Sequence, residues 1–420
     1  MKNTAPAGKN EHLKSRFREL RTFLEKIWKS PCSDFYRQKY EAAGLSLSNI
    51  KTWQDWRKIP FLTREDLSKT GPWQRLYVPR EKLIATRNTS GTTGGGMVLM
   101  LRSEDVDTWK YLSDFHFKSL LSLTSYHRFY TMVRGLSNVG VSVCAGDIHD
   151  MPRTAKMAKT LKIDSLLGAG SMILLFGSHL KRPVSLENIR FIMLVGEYTT
   201  RLQWENLKKL YPNADIVSIY GSVENGFKEI DSPCRENAKI HNRHHLIEKS
   251  AFMEIDENGE IILTTFSDAT PLIRYKTGDL GAFINGRCAC GSDAPIFSVS
   301  GRVNFDAARL KGTEIKADEV ERAIYDVLKI ERPEFKLHIY EKSDLVPRLV
   351  LEIVSIRKPE KFEKMANAAI GRMIAGKIQV SSNLSLGQAI ENGLFETLEI
   401  IFVSEFPLEQ KQKRIILHEF

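Results

Sequence analysis

The chain has 420 residues, of which 42% are hydrophobic and 27% are charged. This length exceeds what one hydrophobic core supports, so we expect two or three domains, and the composition excludes a disordered chain. The longest apolar runs are far shorter than a bilayer span, and the polar N-terminus has no signal-peptide core. We therefore expect a cytoplasmic protein without membrane association. The formal net charge of +10 suits polyanionic ligands, whereas no nucleic-acid-binding signature is present, so we expect no specific nucleic-acid partner.

The first predicted elements are helices. Apolar residues at helical spacing over 11–29 predict a long helix, and 34–41 predicts a second one. Thr63 followed by Asp66 is a capping-box pattern that marks the start of another helix. From about residue 83, short β-rich runs alternate with helices, which predicts a parallel or mixed sheet with helices on its faces. The strands are predicted at 83–87, 97–101, 191–195 and 216–220, and the helices at 156–162 and 200–210.

The composition changes after G-R-V-N at 301–304. Before this point, D-E-N-G at 256–259 predicts a hairpin. After it, the pattern predicts a compact α+β module with helices at 318–328 and 362–375 and strands at 336–340, 348–354 and 400–403. We therefore predict an α/β protein with a large N-terminal mixed-sheet domain over residues 1–300 and a small α+β C-terminal domain over residues 301–420.

The segment N-T-S-G-T-T-G-G-G at 88–96 is rich in glycines and hydroxyl side chains. A Walker-type phosphate loop requires a lysine followed by a helix, whereas here Met97 and Val98 follow and begin a predicted strand. Phosphate would instead be held by backbone N–H groups and by the hydroxyls of Thr89, Ser90, Thr92 and Thr93. Alone, such a loop is more often a simple turn between two strands.

Four further segments follow the loop in a fixed order: V-G-E at 195–197, Y-G-S-V-E at 220–224, R-Y-K-T-G-D at 274–279 and G-R-V-N at 301–304. Together the five resemble the adenylate-forming superfamily, and most of all its phenylacetate–CoA ligase branch, over nearly the whole chain. The resemblance implies an ATP-dependent ligase that activates a carboxylic acid as an acyl-adenylate and transfers the acyl group to coenzyme A. It also implies a mobile C-terminal domain, an active site in the cleft between the domains, and Mg²⁺ as a cofactor. A homodimer is compatible with it.

The resemblance implies a role for each residue that matches a superfamily motif. Tyr220 would lie against the adenine, Asp279 would accept the ribose hydroxyls, and Arg302 would contact the nucleotide. Glu224 matches the acidic residue that helps to hold Mg²⁺, a cation that takes oxygen ligands. The other implied nucleotide-binding residues are Thr89, Ser90, Gly91, Thr92, Thr93, Gly94, Gly196, Glu197, Gly221 and Ser222.

The superfamily also implies a catalytic lysine near the C-terminus, which neutralises charge at the carboxylate and the α-phosphate. The segment F-P-L-E-Q-K-Q-K-R-I-I-L at 406–417 has the expected form. Lys411, followed by Arg414, is the best match, and Lys413 is the alternative. Outside this context, the segment would be an ordinary basic surface tail.

Three of the five cysteines lie close enough in sequence to histidines to suggest a metal site rather than disulfides. Cys234, Cys288 and Cys290 with His241 would satisfy tetrahedral Zn²⁺, and His244 and His245 are alternative fourth ligands. The C-A-C-G turn at 288–291 resembles the C-x-C-G of the phenylacetate–CoA ligase branch, where some members carry a structural zinc. Four protein ligands leave no open position, so we expect a structural ion. The alternative is reduced cysteines without metal.

Two departures from the family pattern bear on activity. Gly95 stands where the phosphate loop usually has lysine, and Val223 where a threonine usually contacts the AMP phosphate. Asn304, Phe305 and Asp306 remain alternative hinge positions. The leading hypothesis is a ligase for an aryl or similar small acid with coenzyme A as acceptor. The alternatives are transfer to a carrier protein or an amine, and a degenerate member that binds nucleotide without catalysis.

Overall fold

The computed structural model describes residues 7–88, 98–102, 112, 114–124, 136, 140–147, 150–180, 187–222, 224, 229–303, 306–310, 313–341, 346–355, 360–363, 365–381, 384–406 and 414–419. The chain packs as two compact units. The first unit comprises Met1–Ala145, Val217–Thr277 and Ala282–Ser298, and the second comprises Gly146–Ile216, Gly278–Gly281 and Val299–Phe420.

The described elements alternate between helices and strands, as expected for an α/β protein. The α-helices are α1 (Ala7–Trp28), α2 (Phe35–Ala42), α3 (Trp53–Trp56), α4 (Arg64–Lys69), α5 (Met151–Thr160), α6 (Gly170–His179), α7 (Arg201–Leu210), α8 (Arg235–Ala238), α9 (Ala317–Leu328), α10 (Asn367–Ala375) and α11 (Leu386–Glu391). Short 3-10 helices lie at Leu47–Asn49, Pro72–Arg75, Arg80–Lys82 and Glu360–Phe362. No helix among the described residues is long and apolar enough to cross a membrane.

The strands fall into several sheets. They are β1 (Leu83–Asn88), β2 (Val98–Arg102), β3 (Ser119–Leu123), β4 (Ser142–Ala145), β5 (Ser165–Gly168), β6 (Phe191–Leu194), β7 (Asp215–Ser218), β8 (Asp231–Ser232), β9 (Arg243–Leu246), β10 (Ala251–Ile255), β11 (Glu260–Thr265), β12 (Leu272–Ile284), β13 (Ile296–Arg302), β14 (Ala307–Leu310), β15 (Thr313–Lys316), β16 (Phe335–Glu341), β17 (Arg348–Val354), β18 (Gln379–Ser381), β19 (Leu384–Ser385), β20 (Glu399–Val403) and β21 (Ile415–Glu419).

The N-terminal helices of the first unit pack around an aromatic core. Leu20 and Leu24 of α1 are completely buried because their spacing places them on one face of the helix. They share the core with Tyr36 and Tyr40 of α2. The predicted capping box of α4 is confirmed, since the Thr63 hydroxyl accepts the Asp66 N–H and the Asp66 carboxylate accepts the Thr63 N–H.

A six-stranded sheet, in the order β10-β11-β12-β13-β9-β8, organises the rest of the first unit. The predicted hairpin joins β10 to β11 in antiparallel register. On the other side of the sheet, β13 and β8 both pair antiparallel with β9. β9 therefore lies between two strands, and its consecutive side chains project to opposite faces of the sheet.

In the second unit, β5 and β6 are neighbouring parallel strands, and β7, which begins in this unit, follows β6 in the sheet. Helix α6 connects β5 to β6, and helix α7 connects β6 to β7. Every residue of β5 and β6 is buried, as expected for strands covered on both faces. Helix α7 begins at Thr200, which forms a capping box with Gln203. The expected β-α-β alternation is thus confirmed.

The C-terminal module has a four-stranded sheet of its own, in the order β20-β17-β16-β21. Phe335, Leu337 and Ile339 of β16 point into a core that helices α9 and α10 complete. The helix predicted at 362–375 is shorter than expected, because Ala366 is extended (φ −62°, ψ 141°) and α10 begins only at Asn367.

Candidate functional site

The described site residues predicted from the sequence fall mainly into two groups, one in each compact unit. Tyr220 and the cysteines lie in the first unit, whereas Glu197, Asp279 and Arg302 lie in the second.

Tyr220 follows β7 and is held by its backbone. Its N–H donates to Asp231 Oδ2 over 3.0 Å. The ring lies edge-on to Phe297, with centroids 5.6 Å apart, and tilted to His244 at 6.2 Å. Tyr220 as a whole is only partly buried. Gly221 is exposed and Ser222 is partly buried beside it.

A buried carboxylate and imidazole support this tyrosine. Asp231 and His244 are 1% and 3% exposed, and His244 Nδ1 lies 2.7 Å from Asp231 Oδ2. The His244 ring stacks on Phe297, with centroids 5.0 Å apart and planes 23° apart. Asp231 and Phe297 were not expected from the sequence, since neither lies in a matching motif and strand pairing brings them together.

Asp279 and Arg302 form an ion pair in the second unit, with Arg302 Nε 2.9 Å from Asp279 Oδ1. A glycine with positive φ directly precedes each residue of the pair. Gly278 has φ +74°, and a Cβ added there would lie 3.5 Å from Arg302 Nη2. Gly301 has φ +129°, and a Cβ there would lie 2.9 Å from the Cβ of Asp306. Both backbone conformations favour glycine, so the sequence around the pair is constrained by backbone as well as by charge.

Glu197 directs its side chain to the beginning of a helix. The backbone N–H of Ser171, in the first turn of α6, donates to Glu197 Oε1 over 2.9 Å. An anion is favourable at this helix end. Burial nevertheless raises the pKa of Glu197, against the lowering effects of Arg414 and of the Ser171 N–H. Gly196, immediately before it, has φ +91°.

Arg414 lies in an acidic surrounding that the sequence did not reveal. Its guanidinium is 2.9 Å from Asp306 Oδ1 through Nε and donates from Nη2 to the carbonyl oxygen of Tyr198 over 2.8 Å. Burial would lower the pKa of Arg414, but Asp306, Glu321 and Glu197 together raise it above its ordinary value. Burial also raises the pKa of Glu321 to about 7, although Arg414 and Thr200 act in the opposite direction.

Tyr198 links the same region to α9. Its hydroxyl donates to Asp318 Oδ2 over 2.5 Å. Burial and the neighbouring Asp318 raise the pKa of Tyr198 well above its ordinary value, so the phenol keeps its proton. The loop that carries Gly196 and Glu197 is thereby tied to α9 and to the segment that begins at Arg414.

The three cysteines expected to bind metal do come together. Cys234, Cys288 and Cys290 meet His245, with all four ligand atoms within 4.8 Å of one another. His245 Nε2 lies 3.5 Å from Cys234 Sγ and 3.4 Å from Cys290 Sγ, and Cys234 Sγ lies 3.8 Å from Cys288 Sγ. Tetrahedral Zn²⁺ with bonds of about 2.0–2.3 Å requires ligand separations of roughly 3.5–3.8 Å, so the donor set fits zinc.

The histidine of this group is His245, one of the two alternatives, and not His241. His241 lies in the turn before β9, outside the group, whereas His245 lies on the strand and faces the cysteines. His244, the other alternative, faces Asp231 because adjacent residues of a strand point to opposite sides. The spacing alone left the three histidines equivalent.

Several predicted residues lie outside the described part of the chain: Thr89, Ser90, Gly91, Thr92, Thr93, Gly94, Gly95, Val223, Lys411 and Lys413. Glu224 is described and partly buried in a turn.

Similar proteins are known. No protein-family model matches the chain. Phenylacetate-coenzyme A ligase from Escherichia coli is 23% identical over 341 residues, which are 74% of this chain and 75% of that protein. The enzyme of the same name from Thermus thermophilus is 23% identical over 320 residues, 69% of this chain and 70% of that protein. A crystal structure of 2-hydroxyisobutyryl-CoA ligase in the postadenylation state superposes with a TM-score of 0.74 at 15% identity, covering 99% of this chain and 91% of that one.

Proposed function

We propose that the chain is a member of the adenylate-forming superfamily, because its curated relatives are phenylacetate-coenzyme A ligases, and that it catalyses the following reaction. As an ATP-dependent, AMP-forming ligase, it activates a small carboxylic acid as the acyl-adenylate and transfers the acyl group to coenzyme A. An aryl acid is the proposed substrate class.

The proposal is supported above all by the ion pair between Asp279 and Arg302. These residues come from two separate sequence motifs, and their proposed roles both concern the nucleotide. A neighbouring guanidinium orients the carboxylate that would accept the ribose hydroxyls, because charge-assisted contacts between the two groups are short and strong. Tyr220, which is only partly buried, supplies the proposed adenine contact.

The remaining parts of the site follow from the motifs. Lys411 is the proposed cation at the reacting carboxylate, Glu224 the proposed Mg²⁺ ligand, and residues 301–420 the proposed mobile domain. Zn²⁺ at Cys234, His245, Cys288 and Cys290 would be structural, because four protein ligands leave no position for substrate. Bound there, zinc would supply cross-linking of loops rather than chemistry.

Acid-dependent release of pyrophosphate from ATP, over a panel of aromatic and short aliphatic acids, tests the reaction. Coenzyme A thioester should form with the same acids. The Asp279→Ala variant tests the nucleotide site. We expect it to raise the KM for ATP while the KM for the acid stays unchanged. Binding of ATP without pyrophosphate release from any acid would contradict catalysis.

The same assay distinguishes two alternative functions, namely acyl transfer to another acceptor and nucleotide binding without catalysis. Acyl-AMP that accumulates without thioester when coenzyme A is present would indicate transfer to a carrier protein or an amine. A protein that binds ATP but never turns it over would indicate a degenerate member. Gly95 and Val223, which stand where the family usually has a lysine and a threonine, motivate that reading.

A further inference from the structure

Strand β9 carries two adjacent histidines that serve different neighbours. His245 faces the cysteines, with its Nε2 3.5 Å from Cys234 Sγ. His244 faces the opposite side, where its Nδ1 meets Asp231. This division follows from the pleat, because consecutive side chains of a strand project to opposite faces. One short strand thus touches both the cysteine group and the support of Tyr220.

A single carboxylate oxygen of Asp231 accepts two hydrogen bonds. Its Oδ2 accepts the N–H of Tyr220 over 3.0 Å and the Nδ1–H of His244 over 2.7 Å. Its Oδ1 is buried without a hydrogen-bond partner among the described residues. Because hydrogen bonds to a buried carboxylate are short and strong, this oxygen fixes the Tyr220 backbone and the His244 ring in one geometry. Phe297 completes the support by stacking on His244 and meeting the Tyr220 ring edge-on.

Two members of the cysteine group, Cys234 and His245, lie next to or on the two strands that carry this support. β8 holds Asp231 and leads within the same segment to Cys234, and β9 holds His244 and His245. The two strands are paired, with Asp231 opposite Leu246 and Ser232 opposite His245. Closing the group around an ion would therefore restrain both strands at once.

We propose that Asp231 and His244 are positioning residues for the adenine-binding face of Tyr220, and that the group Cys234–His245–Cys288–Cys290 braces them through β8 and β9. The proposal rests on the function proposed above, since it takes Tyr220 as the adenine contact. Loss of metal from this group should therefore weaken nucleotide binding, although none of the four residues is a proposed nucleotide contact.

The first test is the dissociation constant for ATP, measured by titration calorimetry without acid or coenzyme A. Asp231→Ala should raise it about tenfold, the effect of losing roughly one charge-assisted hydrogen bond. Asp231→Asn should restore most of the affinity, because its Oδ1 can occupy the Oδ2 position and accept both donors, and the other carboxylate oxygen has no partner to lose. Arg16→Lys, at another buried site in the same unit, is the stability control.

A merely structural role predicts a different result. In that case, Asp231→Ala, Asp231→Asn and Arg16→Lys would change ATP affinity only in proportion to the fall in their melting temperatures. Equal ATP affinity of wild type and a folded Asp231→Ala would overturn the positioning role while leaving the proposed function intact. Absence of ATP binding by the wild type would instead overturn the proposed function.

The brace is tested by metal content and ATP affinity together. We expect about one zinc per chain by mass spectrometry, and a Cys290→Ser variant with less zinc and weaker ATP binding that recovers when excess zinc is added. Cys32→Ser, at an exposed cysteine outside the group, is the control. Zinc loss without any change in ATP affinity, or a protein that carries no zinc and does not respond to it, would overturn the brace.

Discussion

Two buried arginines, Arg274 in the first unit and Arg414 in the second, have nearly equal exposure (5% and 8%) but different electrostatic surroundings. Arg274 forms a fork-like pair with Glu254, through distances of 3.2 Å from Nε and from Nη2. Its remaining donors reach the carbonyl oxygens of Arg57 and Ile59 over 2.7 and 2.6 Å. The Arg274 cation is thus paired with the single carboxylate of Glu254. Its other contacts connect β12 to the segment at 57–59.

Arg414 is paired with Asp306 but lies in the field of further buried acids, among them Glu197 and Glu321. Burial raises the pKa of both glutamates, the neighbouring acids Asp306 and Asp318 add to the rise, and Arg414 only partly opposes it. Perturbed acids in a confined region are a feature of functional sites more than of structural clamps. The comparison teaches that burial of an arginine does not reveal its role, whereas the balance of charges around it does.

The largest effect is expected on removing the cation of this acidic cluster. Arg414→Met should lower the free energy of unfolding by about 3–5 kcal/mol, since the buried carboxylate of Asp306 loses its ion-pair partner. Urea denaturation measures this. Acid-dependent ATP–pyrophosphate exchange should also fall by at least about tenfold, because Arg414 lies three residues after Lys411, the proposed catalytic cation. Full exchange by a folded Arg414→Met would make this arginine a clamp like Arg274.

The pH dependence of stability should come from the second unit's cluster. Glu321 has a folded pKa of about 7 against 4.5 for the free side chain, so its contribution to stability is complete below about pH 4.5 and is lost as the pH rises through about 7. The loss amounts to at most about 3 kcal/mol. Glu321→Gln should therefore flatten the unfolding free energy between pH 5 and about 8. An unchanged pH profile would show that Glu321 ionises normally.

Arg274→Lys should separate stability from nucleotide binding. A lysine cannot reproduce the fork to Glu254 together with two carbonyl contacts, so we expect a loss of about 1–3 kcal/mol by urea denaturation. The ATP dissociation constant should stay within a factor of about two of wild type. The matched Arg414→Lys variant should show the reverse weighting, with a larger effect on exchange than on stability. The same weighting in both variants would remove the distinction between the two arginines.

An exposed arginine gives the smallest effect. Arg348 pairs with Glu399 over 2.8 Å on the C-terminal module, with both side chains about half exposed. Because solvent screens such pairs, Arg348→Met should leave the urea midpoint and the exchange rate unchanged within error. A shift comparable to that of Arg274→Lys would mean that burial is not what distinguishes these ion pairs.

Much of the fold was predictable from local pattern. The capping box at Thr63, the helix at 200–210, the hairpin at 256–259 and the strand at 336–340 each appear where the local pattern predicts them. Helix α6 was not predicted, since G-S-M-I-L-L-F-G-S-H is apolar on all sides and gives no amphipathic signal. Helix α10 was predicted too long, because an extended residue at Ala366 leaves the apolar spacing unchanged.

The sequence by itself predicted the superfamily and the enzyme class that the similar proteins support, because the motifs behind the prediction are short, ordered and recognisable without contacts. It also identified three of the four residues in the cysteine group. Only the tertiary structure decided that His245 completes this group, that Asp231 and His244 support Tyr220, and that Arg414 lies among acids. Strand pairing and burial set these arrangements, joining residues that are distant along the chain, and no local spacing encodes which side chains will meet.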